Sequence, residues 1–109
     1  MKRSMIKYQF KVGTQDAWHQ HVAEFIAALD TDPDLKGKIS YRCMRGKDGT
    51  SYYHLAAASD AQAISALQSK DWFKRYTEET RMVAAGAVEV LPLEIIAETA
   101  ASIRDDLST

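Results

Sequence analysis

The period of the hydrophobic residues changes along this chain in a definite order, and that order limits the possible folds more than any other feature. Ile6, Tyr8, Phe10 and Val12 alternate with Lys7, Gln9 and Lys11, the period of two of a half-buried strand. Gly13-Thr14 ends the run, and Thr14 is placed to cap a helix. From Asp16 the period becomes helical: Trp18, Val22, Phe25 and Leu29 fall on one narrow arc, with Ile26 at its edge. Asp30-Thr31-Asp32-Pro33-Asp34 stops this helix, because a proline disfavours helical geometry at the residue before it. Alternation returns in Ile39, Tyr41 and Cys43, and Gly46-Lys47-Asp48-Gly49 reads as a hairpin turn into a strand from Ser51 to Ala58. Ser59-Asp60 caps a second helix with Ala61, Ile64 and Leu67 on its buried side. Ser69-Lys70-Asp71 interrupts it, and a further helical stripe runs through Trp72, Tyr76, Thr80 and Val83. Gly86 suits the end of that helix, and Val88 to about Leu91 is a last strand closed by Pro92.

The order strand, helix, strand, strand, helix, strand predicts an α+β fold of the ferredoxin-like βαββαβ kind. Its four-stranded antiparallel sheet carries helices on one face. Ile6, Tyr8, Phe10, Val12, Ile39, Tyr41, Cys43, Val88 and Val90 are expected to face the helices. Lys7, Gln9, Lys11, Arg42, Met44, Glu89 and Leu91 fall on the other face, where Arg42 and Glu89 could pair. A helix-free sheet face followed by an apolar segment (Leu93, Ile95, Ile96) favours a symmetric homodimer. The 109 residues suffice for a single domain, 1–109, with a core over about 5–93. Residues 94–109 form a C-terminal tail that either contacts a partner subunit or frays at Arg104-Asp105-Asp106.

Composition removes several classes of function. A net charge of −1 leaves no basic surplus for a nucleic-acid partner. Lys7, Gln9 and Lys11 interrupt any leader-like apolar stretch, and no run approaches the roughly 20 apolar residues of a membrane span. Cys43 is the only cysteine, so no intrachain disulfide can form and a reducing, cytoplasmic setting is expected.

Ile39-Ser40-Tyr41-Arg42, the hairpin into Tyr52–Ala58, and Ser59-Asp60-Ala61-Gln62-Ala63-Ile64 with Leu67-Gln68-Ser69-Lys70-Asp71-Trp72-Phe73 carry a resemblance. Over about 5–93 the chain resembles the dimeric α+β barrel superfamily, in its antibiotic-biosynthesis-monooxygenase-like branch. The resemblance implies two sheets paired into a barrel and a ligand cavity between sheet and helices in each subunit. It also implies oxygenation of quinols or anthrones without metal or flavin, so no cofactor is expected. The heme-degrading branch has a helical histidine ligand, which would fall near Thr77, and a tryptophan, which would fall near Ala66 or Leu67. Both are missing here, which argues against heme.

Within that frame the expected substrate-binding residues are Tyr8, Trp72 and Tyr76, flat walls with a hydroxyl for the oxygen of a small aromatic. The plain alternative is that they fill the core. His54 is the expected catalytic group, a base for a phenolic proton near neutral pH. It shares a strand face with Tyr52 and Ala56, and the sequence leaves open whether that face meets the helices. His19 and His21 point to different sides of a helix, and no group of residues has metal-ligand spacing. Three functions are compatible with these residues. The first is a cofactor-independent monooxygenase acting on a quinol or polyketide phenol. The second is a non-catalytic small-ligand-binding or accessory module. The third is a proton-transfer isomerase or lyase.

Overall fold

A computed structural model describes residues 1–100 of the chain; 101–109, including Arg104-Asp105-Asp106, lie outside the described residues. The elements are β1 (Lys2–Gln9), α1 (Gln15–Thr31), β2 (Ile39–Arg45), β3 (Ser51–Ala58), α2 (Ala61–Gln68), α3 (Asp71–Val83) and β4 (Val88–Leu93). The four strands form one antiparallel sheet in the order β2-β3-β1-β4. This is the α+β, ferredoxin-like arrangement expected from the order of periodicities.

Local chemistry explains the boundaries. Thr14 caps α1, its hydroxyl accepting from the Ala17 amide at 3.4 Å. Asp32 leaves the helix in an extended conformation (φ −67°, ψ 125°) because Pro33 comes next. The Asp60 carboxylate accepts from the Ala63 amide at 2.8 Å and starts α2. In the β2–β3 turn, Gly49 takes φ +82°, which a side chain would resist, and the Gly46 amide donates to the Ser51 carbonyl. Lys70, at the start of α3, sits 2.6 Å from the Asp34 carboxylate and 3.3 Å from that of Asp32, tying α3 to the segment after α1.

Trp18, Val22, Phe25 and Leu29 are all buried, as their helical arc requires. They meet Tyr8, Tyr52 and Tyr76, with Leu35 sealed beneath the turn after α1. Full burial of one such side chain contributes about 1.5–3 kcal/mol, so this one layer supplies most of the cohesion between helices and sheet.

Two expectations are corrected. β1 begins at Lys2 and ends at Gln9, so Val12 lies beyond it and is 51% exposed. There the chain has turned toward the end of α3, where the Lys11 and Val12 amides donate to the Val83 carbonyl. Ala61 is exposed at the first turn of α2, and Ala63 takes the buried position. Residues 94–100 are exposed, with neither strand nor helix, after β4 has ended at Leu93.

The sheet register assigns each face. Ile6 pairs with His54, and His54 with Cys43; Tyr8 pairs with Tyr52, and Tyr41 with Ala56. The even residues of β3 therefore look at the helices. Met5, Tyr53, Leu55, Met44, Leu91 and Leu93 occupy the opposite face, with Arg42 and Glu89. No helix among the described residues is long and apolar enough to cross a membrane.

Candidate functional site

His54 is 0% exposed, at the centre of the helix-facing side of the sheet. The pleat sets its neighbours: Tyr8 on β1 and Tyr41 on β2 stand diagonally across from it, within reach of long side chains. Tyr8 Oη lies 2.8 Å from His54 Nε2, and Cys43 Sγ lies 3.3 Å from the same nitrogen. Nδ1 faces the hydroxyl of Tyr41, with which it is hydrogen-bonded, and that of Tyr76 at 3.2 Å. The two phenols are bonded to each other at 2.9 Å. Tyr76 descends from α3 and stacks on Phe25 (centroids 3.8 Å apart) and on Trp18 (5.6 Å).

One donor orients the proton pattern. The Trp18 indole N–H can only donate, and it donates to Tyr8 Oη at 2.8 Å. The Tyr8 hydroxyl proton then goes to its remaining partner, His54 Nε2. This assignment comes from the network and puts the ring proton of His54 on Nδ1. With that tautomer Nδ1–H donates to Tyr41 and Tyr41 to Tyr76, which leaves the Tyr76 hydroxyl proton uncommitted within the cluster.

Burial keeps the whole cluster uncharged. It pulls His54 down from 6.5 to about 4, so the imidazole is neutral at physiological pH. It pushes the phenols of Tyr8, Tyr41 and Tyr76 well above the ordinary tyrosine range and the Cys43 thiol up to about 11. A neutral histidine that resists protonation is a poor strong base. It serves better to fix the direction of the hydrogen bonds on either side of it.

Beside this cluster lies a cavity of about 480 Å³ between the sheet and helices α2 and α3. It exists because the helix-facing residues there are small: Ser4 on β1, Ala56 and Ala58 on β3. Ile6, Ile39, Ile64, Leu67 and Phe73 make most of its wall apolar, and Tyr41 and Tyr76 stand on it as well. The volume falls within the roughly 300–1,000 Å³ of small-molecule sites.

The expected site residues divide. His54, Tyr8 and Tyr76 are brought together in one hydrogen-bonded cluster, but only Tyr76 lines the cavity. His54 and Tyr8 do not line it and are linked to its wall through the Tyr41 and Tyr76 hydroxyls. Trp72 stands apart: half-buried at the first turn of α3, it packs edge-on against Phe25 and lines a separate groove between α1 and α3 with His21 and Glu79. Tyr41 and Trp18 belong to the cluster, although the sequence marks them only as core. The one signal for Tyr41 is its helix-facing parity on β2, which becomes informative only once the β2–β3 register is known. Among the described residues, no group of three or more His, Cys, Asp or Glu side chains is placed to hold a metal ion.

No protein-family sequence model matches the chain, and no curated protein sequence gives a significant match. Solved structures do match. A point variant of SnoaB, a cofactor-independent oxygenase from Streptomyces nogalater, superposes with a TM-score of 0.71 at 15% identity over 92% of this chain and 98% of that one. A candidate antibiotic biosynthesis monooxygenase from Caulobacter crescentus gives 0.73 at 14% identity, covering 88% and 90%. A dimeric ferredoxin-like protein of unknown function from Jannaschia sp. gives 0.66 at 17%, covering 87% and 100%. At such identities the likeness is one of fold.

Proposed function

We propose that this protein is a cofactor-independent monooxygenase acting on a small aromatic such as a quinol or polyketide phenol, with its site in the cavity beside His54. The observation that carries the reading is a largely apolar cavity of about 480 Å³ with Tyr41 and Tyr76 on its wall, their hydroxyls bonded to each other and to a buried neutral imidazole. The fold it shares with SnoaB adds support.

The chemistry balances without an external reductant. In an anthrone, a ring CH₂ becomes C=O with one oxygen atom, and the other leaves as water, so the substrate supplies all four electrons. The ionised substrate is the species that hands electrons to oxygen. A protein favours it by donating hydrogen bonds to its oxygen in a water-poor site. Tyr76 is the donor at the end of the chain, Tyr41 holds it, and His54, set by Tyr8 and Trp18, keeps the chain pointing toward the cavity. His54 is here a positioning residue, and Tyr76 the group that touches substrate. Trp72 has no part in this arrangement.

Oxygen uptake by metal-stripped protein with a panel of quinols and anthrones tests the reading. Enzyme-dependent uptake is expected, with kcat lowered about 10- to 100-fold in Tyr76→Phe, since one hydrogen-bond donor to a developing oxyanion is removed. Uptake no faster than autoxidation would overturn it. A non-catalytic binding module would then be favoured, because no charged base stands on the inner wall.

We also propose that the chain pairs with a copy of itself through the helix-free sheet face. Met5, Tyr53, Leu55, Leu91 and Leu93 give that face an apolar centre, and Leu91 and Leu93 are 38% and 43% exposed.

A further inference from the structure

Trp72 has no part in the cavity, and the groove it lines has a chemistry of its own. That groove, between α1 and α3, has a volume of about 220 Å³, below the range of drug-sized ligands. Each helix lines it with positions i, i+3, i+4 and i+7, counted from His21 on α1 and from Trp72 on α3, so one continuous face of each helix is turned toward it. The contacts across it set the pairing. His21 Nδ1 is hydrogen-bonded to the Glu79 carboxylate, and Phe25 stacks on Tyr76 and meets the edge of Trp72. The two helices therefore run antiparallel here, which sets Glu24 opposite Arg75 and Ala28 opposite Trp72.

The charges are arranged unlike those of an ordinary helix surface. Arg75 and Glu79 are four apart on α3, the spacing of an intrahelical ion pair, yet Glu79 is bonded across the groove to His21 instead. Among the described residues the side chains of Arg75 and Glu24 have no hydrogen-bond or ion-pair partner, and both line the groove, from opposite walls. The His21–Glu79 bridge closes one end. At the other, the small Ala28 leaves room beside the half-buried indole of Trp72. The floor between them is the stacked pair Phe25 and Tyr76. An uncommitted cation and an uncommitted anion facing each other over an aromatic floor discriminate by charge. A purely anionic guest meets Glu24, a purely cationic one meets Arg75, and a zwitterion satisfies both.

We propose that this groove binds a free α-amino acid with an apolar side chain: its carboxylate on Arg75, its ammonium on Glu24, and its side chain against Trp72 in the space left by Ala28. The site is separate from the cavity beside His54, and the proposal does not depend on the oxygenase reading.

An NMR titration of isotope-labelled, full-length protein with L-phenylalanine tests it, read at the Trp72 indole N–H, which is assigned by its loss in Trp72→Phe. L-Phenylalanine is expected to shift that resonance saturably. L-Phenylalaninamide, which lacks the carboxylate, and 3-phenylpropanoate, which lacks the ammonium, are each expected to bind about fivefold more weakly, as for the loss of one partly exposed ion pair. Arg75→Gln is expected to weaken phenylalanine to the level of the amide while leaving the amide unchanged, and Glu24→Gln to weaken it to the level of 3-phenylpropanoate while leaving that acid unchanged. Both side chains are exposed, so both variants fold. Ala28→Leu fills the space beside Trp72 without altering charge and is expected to abolish binding, whereas Lys74→Gln, on α3 but outside the groove, leaves it intact. No shift of the Trp72 resonance with phenylalanine, equal affinity for the three probes, or affinities that ignore Arg75→Gln and Glu24→Gln would each overturn the proposal. Amide binding as tight as that of phenylalanine would also overturn it, marking the groove as a site for simple cations.

Discussion

His54 owes its properties to the company its position imposes. Three phenols and a thiol surround the ring, and burial holds its pKa at about 4 against 6.5 in the unfolded chain. That difference sets the direction of the linkage. The unfolded state takes up a proton as pH drops below 6.5, and the folded state does so only near 4. The neutral ring therefore contributes stability that is complete above 6.5 and is lost as pH falls from 6.5 toward 4. At about 1.4 kcal/mol per pH unit the loss comes to about 3 kcal/mol. Urea titrations at pH 7 and pH 4 are expected to show the stability advantage of the wild type over His54→Gln shrinking by that amount, since glutamine fills the space without titrating. An unchanged difference would mean that the ring is protonated in the folded protein near its ordinary pKa. The type of this residue singles it out in the sequence; its surroundings do not. Whether the even or odd residues of β3 meet the helices is fixed by pairing with β1 and β2, which no local pattern encodes.

At the scale of elements, the sequence is most legible where one periodicity has one cause. The α1 arc of Trp18, Val22, Phe25 and Leu29 serves only the core, and all four are buried. It is least legible where a stripe serves two surfaces. Trp72 and Tyr76 are one turn apart on α3, yet Tyr76 lines both the cavity and the groove between α1 and α3, while Trp72 lines that groove alone. The start of β1 is hidden for a related reason. Lys2 and Ser4 face the cavity instead of the core, so the apolar alternation that announces a strand is missing there. The cavity roof depends on α2, only eight residues long and held at its start by the Asp60 cap. Asp60→Ala is expected to cost about 1 kcal/mol, read as a lower urea midpoint with unchanged slope. A loss below a few tenths would show that packing of Ile64 and Leu67 alone holds the helix.

For the molecule as a whole, the question is what covers the helix-free side of the sheet. An antiparallel sheet tolerates one wet face, but such a face is normally polar, and Leu55 lies near the centre of this one beside Met5 and Arg42. Sheet-to-sheet pairing buries it, and Leu55→Asp places a charge there. Sedimentation is expected to report a dimer for the wild type and a monomer for Leu55→Asp, with the monomer retaining its secondary structure. A wild-type monomer at micromolar concentration would remove the paired-barrel arrangement.

The stacking of Trp18 on Tyr76 has a consequence outside chemistry and stability. Tyr76 forms cavity wall on one side and, on the other, lies parallel to a buried indole 5.6 Å away. The ring that meets a guest is therefore also the ring next to the brightest chromophore in the core. Trp72, the second indole, sits in a different groove and sees a different neighbourhood. A molecule that displaces Tyr76 on entering the cavity is therefore expected to change the emission of Trp18, which a fluorescence titration reads directly.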